Sequence, residues 1–269
     1  MFLFKILLMK LKIGCQLEYH AAYNTPLILL LRPREGWYQT VLYEEYHINP
    51  YVPITEYIDL YGNYCQRLIT PEGTFLINTN SIIETSAYVE INTDANFTLI
   101  QYLPDDTLIY LLPSRFCESD KLIGKALSIT GDINIGYQMV EAIRLWVHKN
   151  IKYEYDRSTS TTSALDTLSA QHGVCRDMSH LAIALCRSIN IPARFVVGYL
   201  YDLKPMDLHA WFEAYLGDRW YTFDAMQHVL TGGRAILAYG RDAADVATAT
   251  YFGDLRLNNM NVFVEQIED

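Results

Sequence analysis

Cysteine is scarce in this sequence and lacks the spacing typical of disulfide frameworks and zinc sites. The five cysteines, an odd number, are Cys15, Cys65, Cys117, Cys175 and Cys186. No two of them form the C-x-x-C pair found in structural zinc sites and redox motifs. The pattern favours free thiols in a reducing compartment, and we expect no metal ion or other cofactor.

Long apolar runs are also missing, which excludes a bilayer-spanning helix of about 20 residues. The segment Met1–Leu8 is apolar, but Lys5 interrupts it and no small-residue cleavage site follows, so it does not predict a signal peptide. Residues 10–19 are instead expected to form the first β-strand. The sequence therefore predicts a cytoplasmic protein with no membrane association.

Charge is low overall and basic clusters are absent. Only 19% of the residues are charged and the formal net charge is −10, so no surface is expected to neutralise nucleic-acid phosphates. Hydrophobic residues make up 51% of the 269 positions, which is typical of a globular protein with one large or two smaller domains. The composition does not predict the oligomeric state.

The first part of the chain, residues 1–113, is predicted to be an all-β, sandwich-like domain. Short β-branched and aromatic runs alternate there with Gly-, Pro- and Asn-containing turns. The predicted strands cover residues 11–19, 26–31, 40–46, 57–61, 65–70, 73–78 and 86–92. We find no catalytic constellation in this part, and His20 and His47 are expected to be ordinary surface or turn residues.

Residues 114–269 are predicted to form a second domain, in which the apolar period changes to that of helices. Asp120 is expected to cap a helix that reaches residue 128 and buries Leu122, Ile123, Ala126 and Leu127. A second helix is predicted over residues 138–149. The segment 163–166 has the form of a capping box for a third helix that ends at Gly173.

A fourth helix is predicted to begin at Cys175 and to end before Pro192. A thiol in the first turn of a helix lies at the positive end of the helix dipole, which favours the thiolate form. Cys175 is therefore a candidate nucleophile, whereas Cys186, inside the same helix, is expected to be a small buried hydrophobe. Arg176 and Asp177 are expected to fix the entry of the chain into the helix.

Three strands are predicted next, over residues 194–201, 208–216 and 219–225, and the last two form a hairpin. Gly217 and Asp218 make a plausible two-residue loop, with glycine first. This loop sets a register with Leu216 opposite Arg219, which makes His209 and Asp224 diagonal neighbours on one face. A histidine and a carboxylate at that separation can form the hydrogen bond that orients a general base.

Taken singly, a cysteine at a helix start or a histidine in a strand is usually structural. Together, Cys175, His209 and Asp224 have the order nucleophile, base and orienting carboxylate, the pattern of thiol-dependent acyl transfer. Glu213 lies on the same strand face as His209 and is expected to pair with a basic neighbour instead of taking part in catalysis.

Several segments, in order along residues 138–250, strongly resemble the bacterial transglutaminase-like proteins, which are relatives of the papain-type cysteine enzymes. The resemblance rests on residues 162–168, 173–177, 191–194, 209–215, 220–224 and 240–246. It implies an α+β fold with a papain-like transglutaminase core behind the all-β N-terminal domain. It also implies Cys175 as nucleophile, His209 as general base and acid, and Asp224 as the residue that orients His209.

The resemblance narrows the reaction without fixing it. It implies thioester-mediated acyl transfer or hydrolysis on protein or peptide amide bonds, by a transglutaminase-like acyl transferase or a cysteine protease. Hydrolysis alone and an inactive peptide-binding module are the alternatives. Asp224 is followed by Ala225 where many members have proline, which places the chain in a particular branch. No acidic loop indicates a calcium site.

Overall fold

A computed structural model of the chain describes residues 7–36 and 38–268. Most of the apolar segment Met1–Leu8, which was not predicted to be a signal peptide, therefore lies outside the described residues. Six strands form most of the N-terminal half: β1 (Leu8–Ala21), β2 (Pro26–Leu29), β3 (Gln39–Asn49), β4 (Thr55–Ile58), β5 (Tyr64–Ile69) and β6 (Gly73–Ser86).

These strands form two antiparallel sheets, so the N-terminal part is rich in β-strands, as predicted. In β1, the apolar side chains at Leu11, Ile13, Cys15 and Leu17 are buried, and the residues between them are less buried except for Gly14. This period of two is what a strand with one face toward a core requires. One predicted strand is wrong: β6 stays paired with β1 as far as Ser86, and residues 87–92, which follow it, form no strand.

Helices enter the second half of the chain, together with several short strands. The helices are α1 (Ile123–Thr130), α2 (Gly136–Asn150), α3 (Ala164–Ala170) and α4 (Cys175–Ser188). The strands are β7 (Lys152–Tyr153), β8 (His172–Gly173), β9 (Ala193–Leu200), β10 (His209–Leu216), β11 (Arg219–Phe223), β12 (Arg234–Gly240), β13 (Ala249–Tyr251) and β14 (Leu255–Gln266). Within the described residues, no helix is long and apolar enough to cross a membrane.

The last two strands belong to the sheets of the first half. One sheet has the order β14-β1-β6-β3 and the other β13-β2-β5-β4. Each therefore joins residues from both ends of the chain, although the sequence analysis predicted neither β13 nor β14. The predicted domain boundary near residue 113 stays a prediction. Both sheets contain strands from each side of it.

The first helix starts later than predicted. A short 3₁₀ turn covers Ser119–Lys121, and α1 then begins after Leu122 without a side-chain cap from Asp120. The buried positions here are Leu122, Ala126 and Thr130, while Ile123 and Leu127 are 56% and 54% exposed. The predicted buried stripe was therefore only half right.

The third and fourth helices agree more closely with the sequence. Ser163 and Asp166 form the predicted capping box, in which the Ser163 amide donates to Asp166 Oδ2 at 3.0 Å. Helix α3 ends sooner than predicted, because Gln171 adopts a left-handed conformation at φ 57°. Helix α4 begins at Cys175 as predicted and is buried from Asp177 to Arg187.

A central antiparallel sheet, of order β11-β10-β9-β12, packs against α4. Every residue of β10 is buried, because one face packs on the helical layer and the other is covered by neighbouring loops and sheets. This arrangement places the start of α4 and the start of β10 side by side, so that their first residues, Cys175 and His209, meet.

Candidate active site

Cys175 is the first residue of α4, and its neighbours hold the helix start in place. The Asp177 carboxylate accepts a hydrogen bond from the Val174 amide at 3.0 Å, which caps the helix. Arg176 contacts Asp177 Oδ1 at 2.8 Å and donates to Ser158 Oγ at 2.9 Å. Arg176 and Asp177 therefore fix the entry into the helix, as predicted. The Cys175 side chain remains partly exposed.

His209 and Asp224 form the pair that the hairpin register predicted. The strands pair from Leu216 opposite Arg219 to Phe212 opposite Phe223, one residue short of Asp224. His209 Nε2 lies 2.7 Å from Asp224 Oδ2, and each side chain is about 1% exposed. Because Nε2 is engaged, Nδ1 is the ring nitrogen available to a thiol.

The electrostatics of the site favour a charged imidazole. Burial alone lowers the pKa of His209, but the Asp224 charge and hydrogen bond, together with a hydrogen bond to Cys175, raise it to about 9. Burial also acts to raise the pKa of Asp224, yet His209 and Arg234 hold it well below its usual range. The carboxylate is therefore ionised at neutral pH, and His209 can carry the proton of the Cys175 thiol.

Two buried arginines, which the sequence analysis did not identify, hold the Asp224 segment. Arg234 Nη1 donates to Asp224 Oδ2 at 3.0 Å. Arg144, on α2, donates to the carbonyl oxygens of Asp224 at 3.2 Å and His228 at 3.1 Å, and also to that of Gln227. Arg144 is 80 residues from Asp224 in the sequence, and Arg234 is separated from it by an irregular loop. No sequence motif therefore indicates either contact.

The remaining candidates have structural partners. Glu213 pairs with Arg194 at 2.6 Å, which confirms the predicted ion pair with a basic neighbour. Cys186 is fully buried, and burial raises its thiol pKa well above its usual value. His20 and His47 are exposed, His20 near Thr74 and His47 beside Glu45.

Two carboxylates away from Asp224, those of Asp242 and Asp245, have partners within the protein. Asp242 accepts from the Phe116 amide at 2.7 Å, and Asp245 accepts from Tyr61 at 2.7 Å and from Arg241 at 2.9 Å. Among residues 7–36 and 38–268, no three His, Cys, Asp or Glu side chains lie where they could hold a metal ion.

A pocket of about 380 Å³ lies between α4, residues 148–153 and Met226. Its wall includes Met178, one turn after Cys175 on α4, and Met226, two residues after Asp224. The other lining residues are His148, Lys149, Asn150, Ile151, Lys152 and Tyr153. The pocket therefore joins two methionine side chains with three basic residues, His148, Lys149 and Lys152, while Cys175, His209 and Asp224 do not line it.

Comparison with known proteins agrees with this geometry. The family model of the transglutaminase-like superfamily matches residues 124–225, which include Cys175, His209 and Asp224. The crystal structure of a "Putative Cysteine Protease" from Cytophaga hutchinsonii is 36% identical, with a TM-score of 0.91 over 98% of this chain and 92% of that chain. An uncharacterized protein of Mycobacterium leprae (strain TN) is 26% identical over 230 residues, which cover 81% of this chain and 82% of the relative.

The fold and the family match define an α+β protein with a papain-type core and an antiparallel β-rich N-terminal part. The chain belongs to the transglutaminase-like superfamily.

Proposed function

We propose that the protein is a cysteine-dependent enzyme that cleaves amide bonds in proteins or peptides through a thioester on Cys175. The observation that carries the proposal is the buried 2.7 Å contact between His209 and Asp224 beside a cysteine at a helix start. A binding module would have no use for a nucleophile, a base and an orienting carboxylate in this arrangement. The similarity to the Cytophaga hutchinsonii structure, described as a "Putative Cysteine Protease", gives further support.

In the acylation step, His209 takes the Cys175 proton and the thiolate attacks the amide carbonyl carbon. The C–N bond breaks as imidazolium returns the proton to the leaving amine, and a thioester to Cys175 remains. A backbone N–H at the start of α4 is placed to stabilise the oxyanion, because the first amides of a helix have no intrahelical acceptor. Asp224 keeps the imidazole oriented and stabilises its charged form.

In the deacylation step, His209 takes a proton from the acceptor, which then attacks the thioester carbonyl. We propose water as the usual acceptor, because water is present at about 55 M and the Cys175 side chain is partly exposed. The products are a carboxylic acid and the free thiol. Transfer to a primary amine would use the same residues and the same thioester.

The acyl donor is expected to place a side chain or a backbone segment in the pocket between Met178 and Met226. The two methionine side chains favour an apolar substrate group, and Lys149 and Lys152 favour acidic groups near it. The five free cysteines support a reducing compartment such as the cytoplasm, which cell fractionation with an antibody to the protein would test.

Intact-mass spectrometry with a library of peptide amides tests the proposal. Wild-type protein should gain the mass of an acyl group and lose it on standing, while Cys175→Ala gains nothing. Added primary amine separates the two acceptors: unchanged acid product indicates hydrolysis, whereas an amide product indicates transamidation. Turnover by Cys175→Ala would rule out the thiol mechanism. A wild-type protein that binds the peptides but is never acylated would instead be a binding module.

A further inference from the structure

One oxygen of Asp224 accepts hydrogen bonds from two cations. Asp224 Oδ2 lies 2.7 Å from His209 Nε2 and 3.0 Å from Arg234 Nη1, while Oδ1 accepts from the Met226 amide at 2.9 Å. The Asp224 side chain is about 1% exposed and that of Arg234 is 7% exposed. The triad carboxylate therefore has a permanent cationic partner in addition to the catalytic histidine.

The remaining nitrogens of Arg234 hold the loop that carries Asp224. Arg234 Nε donates to the Thr231 carbonyl at 3.1 Å, and Nη2 donates to Gln227 Oε1 at 2.5 Å. Gln227 Oε1 also accepts from the Thr231 amide at 3.1 Å. Because Asp224 begins this loop and Arg234 ends it, a single guanidinium fixes the loop at three points.

The pair lies in a region from which water is excluded. The Trp211 ring is fully buried, with its centroid 6.0 Å from that of His209 and 5.1 Å from the Arg234 guanidinium carbon. It lies against Gly198, where an added Cβ would approach the ring within 3.0 Å. Charges in such surroundings interact more strongly than in water, and an unpaired buried carboxylate is costly.

We propose that Arg234 is a positioning residue of the triad, which keeps Asp224 ionised and oriented while His209 alternates between its charged and neutral forms. The inference rests on the proposed function. Once His209 gives its proton to the leaving amine, Asp224 loses the charge of its first partner. Arg234 still balances the carboxylate at that stage, so the imidazole can release its proton without leaving a buried, unpaired negative charge.

Arg234 also limits how strongly Asp224 attracts the proton of His209. The charged or titratable groups around His209 come from every neighbouring element: Asp224 after β11, Cys175 on α4, Asp207 before β10, and, behind Asp224, Arg234 on β12 and Arg144 on α2. Removal of the Arg234 charge leaves Asp224 and Cys175, the two groups that raise the pKa of His209, in place. The pKa of His209, already raised to about 9, is therefore expected to rise further.

The test is a titration of His209 by NMR in full-length protein labelled at the histidine ring carbons, with His209→Gln used to assign the signal. The wild-type midpoint is expected near pH 9, and Arg234→Met should shift it upward by about one pH unit. Turnover of a peptide amide should fall at least about tenfold, because imidazolium becomes a weaker acid. Arg234→Lys, which keeps the charge, should restore the wild-type midpoint.

A matched control removes a different buried ion pair from the same sheet. The double variant Arg194→Met/Glu213→Gln takes away a guanidinium and its carboxylate together and should leave the His209 midpoint unchanged. If Arg234→Met does not fold, Arg234→Gln, which keeps an amide donor for Asp224, gives the same test. A folded Arg234→Met or Arg234→Gln with an unshifted His209 midpoint would overturn the inference. The titration needs no substrate, so it remains decisive even if Cys175 is never acylated and the proposed function fails.

Discussion

Burial separates the thiol of Cys175 from the other four cysteine thiols. Burial raises the pKa of Cys117 to about 12 and also raises those of Cys15, Cys65 and Cys186. All four are enclosed by protein, whereas Cys175 is partly exposed at a helix start beside His209. Access and a partner that can take the proton therefore coincide at one position.

Iodoacetamide at pH 6 is expected to alkylate Cys175 well ahead of the other four cysteines, because only thiolate reacts and the imidazole of His209 can hold the thiol proton. Peptide mass spectrometry after short exposures gives the rate at each site. His209→Gln should slow alkylation of Cys175 and leave the slow background at the buried cysteines unchanged. Equal rates at all five cysteines would contradict the assignment of the nucleophile.

Asp224→Asn is expected to reduce turnover by roughly 10²–10⁴-fold, since a neutral amide cannot stabilise the imidazolium form of His209. The matched control is Glu213→Gln, a buried carboxylate on the same hairpin that pairs with Arg194 instead of His209. Its effect on turnover should be much smaller. Thermal melting of both variants separates a catalytic loss from unfolding, and a larger loss in Glu213→Gln would refute the role of Asp224.

The pH dependence of turnover should show an alkaline limb near pH 9. The pKa of His209 is raised to about 9, so imidazolium is present below that pH and is lost as the pH rises through it. Protonation of the leaving amine requires imidazolium, hence kcat/KM should fall above pH 9. In Asp224→Asn the limb should move to lower pH. A wild-type limb near pH 6.5, the usual value for histidine, would show that Asp224 does not act on His209.

Local patterns were enough to predict that His209 lies beside Asp224, but not which residues support that pair. Alternation along β10 and a two-residue loop at Gly217 place His209 beside Asp224, because both features act over a few residues. Arg234 lies on β12, on the far side of β9 from His209, and reaches Asp224 only after the sheet has formed. Arg234 is simply the polar first residue of a strand, and nothing in the sequence around it indicates a contact with Asp224.

At the scale of elements, the close approach of β9 and β12 beneath Trp211 depends on Gly198. Gly198 is opposite His209 on one side and Ile236 on the other. A Cβ at this position would lie 1.9 Å from the Ala235 carbonyl oxygen and 3.0 Å from the Trp211 ring. The missing side chain therefore allows the ring to cover the strand next to His209.

Gly198→Ala is accordingly expected to destabilise the protein by about 1–3 kcal/mol, as overpacking of a core does, and to lower turnover by displacing Trp211 from His209. Gly124→Ala, in α1, is the control, since nothing lies within 4 Å of its added Cβ. There the change should be neutral or stabilising by up to about 1 kcal/mol. Chemical denaturation of both variants tests this, and equal stability would show that the sheet can adjust at Gly198.

The start of a helix could be predicted in some elements but not in others, and α1 is a case where it could not. Asp120 is a good capping residue, but the 3₁₀ turn Ser119–Lys121 takes its place and the helix begins after Leu122. In α3, by contrast, Ser163 and Asp166 satisfy each other's backbone groups within four residues. A cap that is complete within its own segment can be predicted, whereas one that competes with tertiary packing cannot.

At the scale of the whole molecule, the two ends of the chain meet in one sheet. Strand β14 pairs with β1 from Leu11 opposite Gln266 to Ala21 opposite Leu255. Phe263 of β14 lies against Gly14 of β1, where an added Cβ would approach its ring within 2.5 Å. Such pairing joins residues more than 200 positions apart, so the alternation within either strand alone could not predict it.

Deletion of residues 255–269 is therefore expected to prevent stable folding of the whole protein, although the deleted strand contains no triad residue. It removes the strand that pairs with β1 and the buried side chains of Leu255, Val262 and Val264. At about 1.5–3 kcal/mol for each side chain, the loss approaches the 5–15 kcal/mol by which proteins of this kind are stable.

The control deletion removes only residues 268–269, which follow β14 and leave its pairing with β1 intact, including the hydrogen bond from the Ile267 amide to the Lys10 carbonyl at 2.9 Å. Circular dichroism melting and Cys175 alkylation should show the control variant to be close to wild type. The variant that ends at residue 254 should lose both the cooperative melt and the selective alkylation. Retention of both by the variant ending at 254 would mean that β1 and β6 hold the N-terminal sheet without β14. The fold around the triad would then be independent of the strand that joins the two ends of the chain.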